Sequence, residues 1–250
     1  MEVSYIPIAK ARGFTTHWIN CAGVICGGIL GLLCKKGLSE RFQEILIQAS
    51  GLCVIFLGIG GTLAKTLVFE NGSLVSVGSM MLIISLVLGS FLGEALNLEN
   101  RTERFGEWLK KKTGNTEDSS FVTGFVTTSL TICIGSIAIV GAIEDGISGN
   151  ISMLCAKAVL DAVIVFVLTS SMGKGCIFSV IPLALLQGSV TVLARIIEPV
   201  LTEPAISNLS ASGSMLIFCV GINLMFKQKI RVANMLPALI VAILYAYLPI

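Results

Sequence analysis

The chain has 250 residues, 54% hydrophobic and 13% charged, with a mean hydropathy of +0.91, whereas a soluble domain carries about a quarter charged residues. A core of this length cannot hide so much apolar side chain from water, which excludes a soluble globule and makes the membrane the solvent. A net charge of +2, with basic residues in short clusters, excludes binding to a phosphate backbone.

Residues 1–15, with Lys10 and Arg12, read as a tail: they resemble the charged start of a signal peptide, but no cleavage site follows. Apolar stretches of spanning length then recur at roughly 17–34, 44–64, 74–93, 121–143, 152–172, 176–197, 208–226 and 232–249, which predicts eight spans. Twelve Lys and Arg residues fall in the first, third, fifth and seventh connections, against four in the tail and at the ends of spans 2 and 6. The positive-inside rule then makes the odd loops cytoplasmic and puts both termini outside. Eight cysteines, mostly within apolar segments and never as CxxC, read as small hydrophobes.

Gly58, Gly60 and Gly61 loosen the end of span 2. The long connection at 94–120 carries Ala95, Leu96, Leu98, Phe105, Trp108 and Leu109, and pairs Glu107 with Lys111 at i,i+4. It predicts a cytoplasmic helix near the headgroups, drawn modestly to them by Lys110 to Lys112; a solvated linker is the alternative. In span 4, Thr123, Thr127 and Thr131 recur every four residues beside Gly124 and Thr128. Such a stripe serves close helix packing, or else Thr127, Ser129 and Ser136 line a cavity. The acidic corner Glu144-Asp145-Gly146 is either a cation-attracting mouth or a hairpin turn.

In span 5, "AKAVLDAVIVF" puts Lys157 roughly 8 Å and Asp161 roughly 14 Å of helix rise into a core about 30 Å thick. Lys157 is able to snorkel to the outer interface, whereas Asp161 is not. A carboxylate at that depth costs about 2.5–3.5 kcal/mol and needs protein or water around it. One reading is a static ion pair pinning span 5; the other is the polar lining of a solute or ion path, of which a proton-coupled Asp161 is a sharper form. Pro182, Gln187 and Gly188 interrupt span 6, and Asn223 is a polar candidate in span 7.

The stretch 37–56 matches 200–218 weakly, pairing Leu38-Ser39-Glu40 with Leu201-Thr202-Glu203, Gly51 with Gly213, and Ile55-Phe56 with Ile217-Phe218. Given the sidedness, the copies start on opposite sides. Repeats at 17–93 and 176–249 would then be inverted around a central hairpin at 121–172, with a cytoplasmic loop at 94–120, as in many secondary transporters. His17 is the only histidine, and HExxH, GxSxG and P-loop patterns are missing, so neither an enzyme nor a cofactor is expected.

The blocks "GGILGLLCKKGLSE", "GFVTTSLTICIGSIAIVGAIEDG", "MLCAKAVLDAV", "IPLALLQGSVTVLA" and "VGINLMFKQKIRVANMLPAL", in this order from about residue 16 onward, resemble the bacterial membrane-protein family called domain of unknown function 554. The resemblance implies a multi-span protein of the bacterial cytoplasmic membrane, and sets Gly124, Ser129, Gly135, Gly141, Asp145, Gly146, Lys157, Asp161, Gln187, Gly188 and Asn223 in the family's motifs. The expectation is an all-α polytopic protein of seven or eight helices in the lipid bilayer, a homo-oligomer, transporting or conducting a small polar or ionic solute. Its path would take Asp161, Lys157, Ser129, Thr127, Ser136, Asp145, Gln187 and Asn223; Gly124, Gly135, Gly141, Gly146, Gly188 and Pro182 would pack or hinge the helices. A non-transporting scaffold or accessory subunit is the alternative.

Overall fold

Where no water reaches the backbone, each peptide group needs a partner inside the protein, and a helix supplies one within its own segment. The computed structural model, which describes residues 16–35, 39–70, 72–133, 152–197, 201–226 and 230–248, is mostly helical for this reason. In chain order it has α1 (Thr16–Lys35), α2 (Glu40–Thr66), β1 (Leu67–Glu70), β2 (Ser73–Ser76), α3 (Ser79–Leu96), α4 (Leu98–Lys112), α5 (Phe121–Cys133), α6 (Ser152–Met172), a 3-10 turn at Lys174–Ser179, α7 (Val180–Ile197), α8 (Glu203–Phe226), α9 (Val232–Met235) and α10 (Ala238–Tyr245). Five segments among the described residues are long and apolar enough to cross a membrane: Trp18–Lys35, Glu44–Thr66, Ser79–Leu96, Lys174–Val192 and Glu203–Phe226.

The all-α expectation needs one correction. Residues 74–76, read as the start of span 3, belong to β2, which pairs antiparallel with β1 from Leu67↔Ser76 to Glu70↔Ser73. Gly72, just before β2, has φ +79, the left-handed backbone that tight hairpin turns favour. The last predicted span is likewise two pieces, α9 and α10, separated at Leu236-Pro237. The first residues of span 6, 176–179, belong to a 3-10 turn that leads into α7. The Glu107–Lys111 pair is not among the ion pairs of the described residues.

Small residues decide which helices meet. Gly23, Gly27 and Gly31 of α1 lie against Ala158, Ala162 and Phe166 of α6 in rising order, so the two helices run parallel. A Cβ on Gly27 would strike the Ala162 carbonyl oxygen, so only glycine permits this approach. Gly51, Gly58 and Gly61 of α2 meet Met225, Phe218 and Ser214 of α8, an antiparallel pair. Gly89 and Gly93 of α3 meet Ala238 and Asn234 of the α9–α10 segment, again antiparallel. The main core joins α5, α6, α8 and α9 through Phe121, Phe125, Leu168, Leu216, Val220 and Val232. Outward, α2 and α3 present Phe56, Ile83, Val87 and Phe91, the last 73% exposed. Large apolar side chains exposed along helices of spanning length suit a hydrocarbon surrounding.

Candidate functional site

The site is built on α6, where Lys157 and Asp161 are one turn apart and both face inward, at 7% and 3% exposure. Lys157 Nζ lies 2.5 Å from Asp161 Oδ2 and also donates to the Ile132 carbonyl of α5 at 2.8 Å. The lysine therefore does not snorkel to the interface. An acceptor pair in the bundle holds it, because a buried ammonium without partners would cost several kcal/mol.

Asn20 of α1 extends the pair. Its Nδ2 donates to Asp161 Oδ2 at 3.0 Å and to Gln187 Oε1 of α7 at 3.1 Å. The glycine stripe that begins three residues later, at Gly23, brings α1 against α6 and so lets this short side chain reach the carboxylate. Asn20 and Gln187 are both wholly buried. Lys157, Asp161, Asn20 and Gln187 with the Ile132 carbonyl thus form one hydrogen-bonded network across α1, α5, α6 and α7, whose two formal charges cancel.

The network is not closed on itself. Among the described residues, Asn20 Oδ1 and Gln187 Nε2, an acceptor and a donor, have no partner, nor do the buried hydroxyls of Ser129 and Thr191. Thr191 is one turn beyond Gln187 on α7, and Ser129 one turn before Ile132 on α5. A buried polar atom without a partner costs about 1–3 kcal/mol, so native proteins keep such groups paired with water or with something they bind. Among the described residues no group of three or more His, Cys, Asp or Glu side chains is placed to hold a metal ion.

Of the predicted path residues, Lys157, Asp161 and Gln187 come together, and Ser129 is buried on the neighbouring helix. Thr127 is half-buried, and its carbonyl accepts from the Thr131 hydroxyl at 2.8 Å. Ser136 and Asp145 lie outside the described residues, as do Gly135, Gly141 and Gly146. A Cβ on Gly124 would lie 3.0 Å from Cys176 Sγ and 3.4 Å from Met172 Cβ. Pro182 is in the first turn of α7, where a missing N–H is harmless, so it starts the helix and does not break it. Around Gly188 there is open space, with no close neighbour that would require a glycine.

Asn223 belongs to a different constellation. It donates to the Ile230 carbonyl at 2.7 Å and accepts from the Ile230 N–H at 2.9 Å, so it staples the chain between α8 and α9. Asn223→Ala is expected to lower stability by about 1–3 kcal/mol, leaving any flux per folded molecule unchanged; thermal melting beside a flux assay checks this. Next to it, Asn234 donates to Glu94 at 2.7 Å and accepts from the Glu99 N–H at 2.6 Å, while Glu99 accepts from the Ala233 N–H at 2.9 Å. These bonds fasten the start of α4 to the start of α9. Burial pushes the Glu99 carboxyl above its ordinary range, against the opposing Ala233 N–H.

Sequence reading missed Asn20, the Ile132 carbonyl and Thr191. The spacing Gly23-x3-Gly27-x3-Gly31 was a signal for Asn20, because it announces a close neighbour on the face that the asparagine shares. No sequence pattern marks a carbonyl.

Residues 15–247 match the family model described as "Protein of unknown function (DUF554)", and the chain belongs to that family. It is 30% identical over 222 residues to "Uncharacterized membrane protein YdfK" of Bacillus subtilis (strain 168), covering 89% of this chain and 91% of that protein. It is 28% identical over 232 residues to "Uncharacterized protein YqgA" of Escherichia coli (strain K12), covering 90% and 93%. No solved structure gives a significant match. The chain is a membrane protein of an uncharacterised family, and the order of blocks noted in the sequence runs through nearly all of it.

Proposed function

We propose that the protein moves a small polar or ionic solute across the bacterial cytoplasmic membrane, by a route that passes the Lys157–Asp161–Asn20–Gln187 network. The observation that carries this reading is the pair of wholly buried amide atoms, Asn20 Oδ1 and Gln187 Nε2, left without partners among the described residues in a network built on a mutually neutralised ion pair. A purely structural pin would be expected to satisfy its own atoms, since each orphan destabilises the fold. Intramembrane ionisable groups that face the bundle interior commonly mark ion or solute pathways.

The helix pairing supports an inverted-repeat build with seven or eight spans. The weakly matching segments both begin their helices at the corresponding glutamate, Glu40 for α2 and Glu203 for α8, and these two helices pack antiparallel. Helices α3 and α9–α10, the next pair in such a repeat, are antiparallel as well. Antiparallel counterparts follow when one half is turned over relative to the other, and transport sites in such folds sit where the halves meet. In this reading the odd loops are cytoplasmic, the assembly is a homo-oligomer, and no chemistry is performed on the solute.

The test is flux through proteoliposomes carrying a panel of monovalent ions and small neutral polar solutes. The parent protein should speed the passage of at least one of them, and Asp161→Asn should change that rate roughly ten-fold or more, the worth of a hydrogen bond to a charged group, with assembly retained. No flux for any solute in the parent, together with loss of folding in Asp161→Asn, overturns transport and leaves a scaffold.

A further inference from the structure

Helix α4 does not face the network, yet its surface is sharply divided. Arg101, Phe105, Trp108 and Lys112 recur at i, i+4, i+7 and i+11, which is one stripe along the helix, and all four are exposed. Glu99, Glu103 and Glu107 follow at four-residue spacing on the opposite side. Gly106 and Leu109 are the buried residues of α4, and a Cβ on Gly106 would lie 3.0 Å from the Phe125 ring and 3.3 Å from Val122 of α5.

The position of the stripe follows from three attachments. Only Asn97, in the left-handed conformation at φ 52, separates α4 from the end of α3. The Glu99 bonds to Ala233 and Asn234 tie its start to the head of α9. Phe105 meets Phe125 of α5 with ring centroids 5.8 Å apart, in the second turn of that helix. These attachments hold α4 at the end of the bundle where α3 stops and where α5 and α9 start. Phe105 and Trp108 stack at 5.7 Å, and Lys112 Nζ sits 4.9 Å from the Trp108 ring centroid. The stripe thus has aromatic rings at its centre and a cation at either end.

We propose that α4 is an interfacial helix that binds anionic phospholipid, with Phe105 and Trp108 seated at the acyl-chain boundary and Arg101 and Lys112 on the headgroup phosphates. Aromatic rings prefer the level of the headgroups, and cations beside them take the phosphates while their stems stay in the apolar layer. Glu103 and Glu107, both exposed, then face water, while Glu99 stays bonded to the head of α9. Zwitterionic lipid offers the same phosphate but no net charge, so charge complementarity selects the anionic class, by roughly five-fold per cation.

The chain has two tryptophans, Trp18 and Trp108, so Trp18→Phe leaves Trp108 as the single emitter. The full chain carrying that substitution is reconstituted in phosphatidylcholine vesicles in which either the phosphatidylcholine or an equal minor fraction of phosphatidylglycerol bears brominated chains. Trp108 emission should be quenched by both and several-fold more efficiently by the brominated phosphatidylglycerol. Arg101→Gln with Lys112→Gln should remove that preference while quenching persists. If Trp18→Phe does not fold, the difference between the parent and Trp108→Phe gives the same readout. Equal quenching by the two lipids overturns anionic binding, and quenching by aqueous iodide instead of bromolipid overturns the interfacial placement.

Discussion

Lys157→Met should be among the most damaging single substitutions in α6, with an expected loss of about 3–5 kcal/mol of stability, the usual result of stripping one partner from a buried ion pair. The change leaves the Asp161 carboxylate with Asn20 Nδ2 as its one remaining donor among the described residues, at 3% exposure, and removes the donor to the Ile132 carbonyl. The double variant Lys157→Met, Asp161→Leu should recover much of the loss, because replacing both charges by apolar groups of similar volume is often neutral or better. Resistance to unfolding in a denaturing detergent, measured for parent, single and double variants, checks this order. The comparison also separates the two meanings of the pair. A double variant that folds like the parent and has lost all flux places the charges in the route; one that folds and conducts normally makes them a structural pin and removes the main support for transport.

Gly27→Val is the second large effect. Any Cβ at this position meets the Ala162 carbonyl oxygen, a backbone atom that has no rotamer to escape into. Overpacking of this sort costs typically 1–3 kcal/mol and more when backbone must move. Here the helices must part, which draws Asn20 away from Asp161 and leaves Gln187 Oε1 without its donor. We expect a strong fall in the yield of folded protein, and any material that does fold to have lost flux. Gly60→Ala and Gly188→Ala are the matched controls, since nothing lies within 4 Å of a Cβ at either site. Both should be neutral or gain up to about 1 kcal/mol from helix propensity. A melting temperature for Gly27→Val equal to that of the controls would show that α1 and α6 do not pack in the register described.

Charge and hydropathy made Asp161 legible from the start, because a carboxylate deep in an apolar run has few explanations. The same reasoning left Lys157 open, because its long stem offered two solutions of similar merit, interface or partner. Depth alone does not choose between them; the Ile132 carbonyl on another helix does. Gln187 was noticed as a break in span 6, and its value as a bridge to Asn20 depends on which face of α7 it occupies. Asn223 was noticed as a polar residue in span 7, and the fold uses it to staple the chain between α8 and α9. Polar residues in apolar segments are thus found by sequence and sorted only by neighbours.

By itself the sequence determined the solvent, the helices and most of their approximate extents, because these rest on local composition: apolar length sets what crosses a bilayer, and backbone groups in that medium must close into helices. It also marked the one carboxylate whose burial demands an explanation. Tertiary structure alone decided that α1, α5, α6 and α7 converge on that carboxylate, and which buried amide and hydroxyl atoms are left without partners among the described residues. Those facts depend on the register between helices distant in the chain. Register is set by where small residues let backbones touch, a property of pairs of helices that no single segment contains.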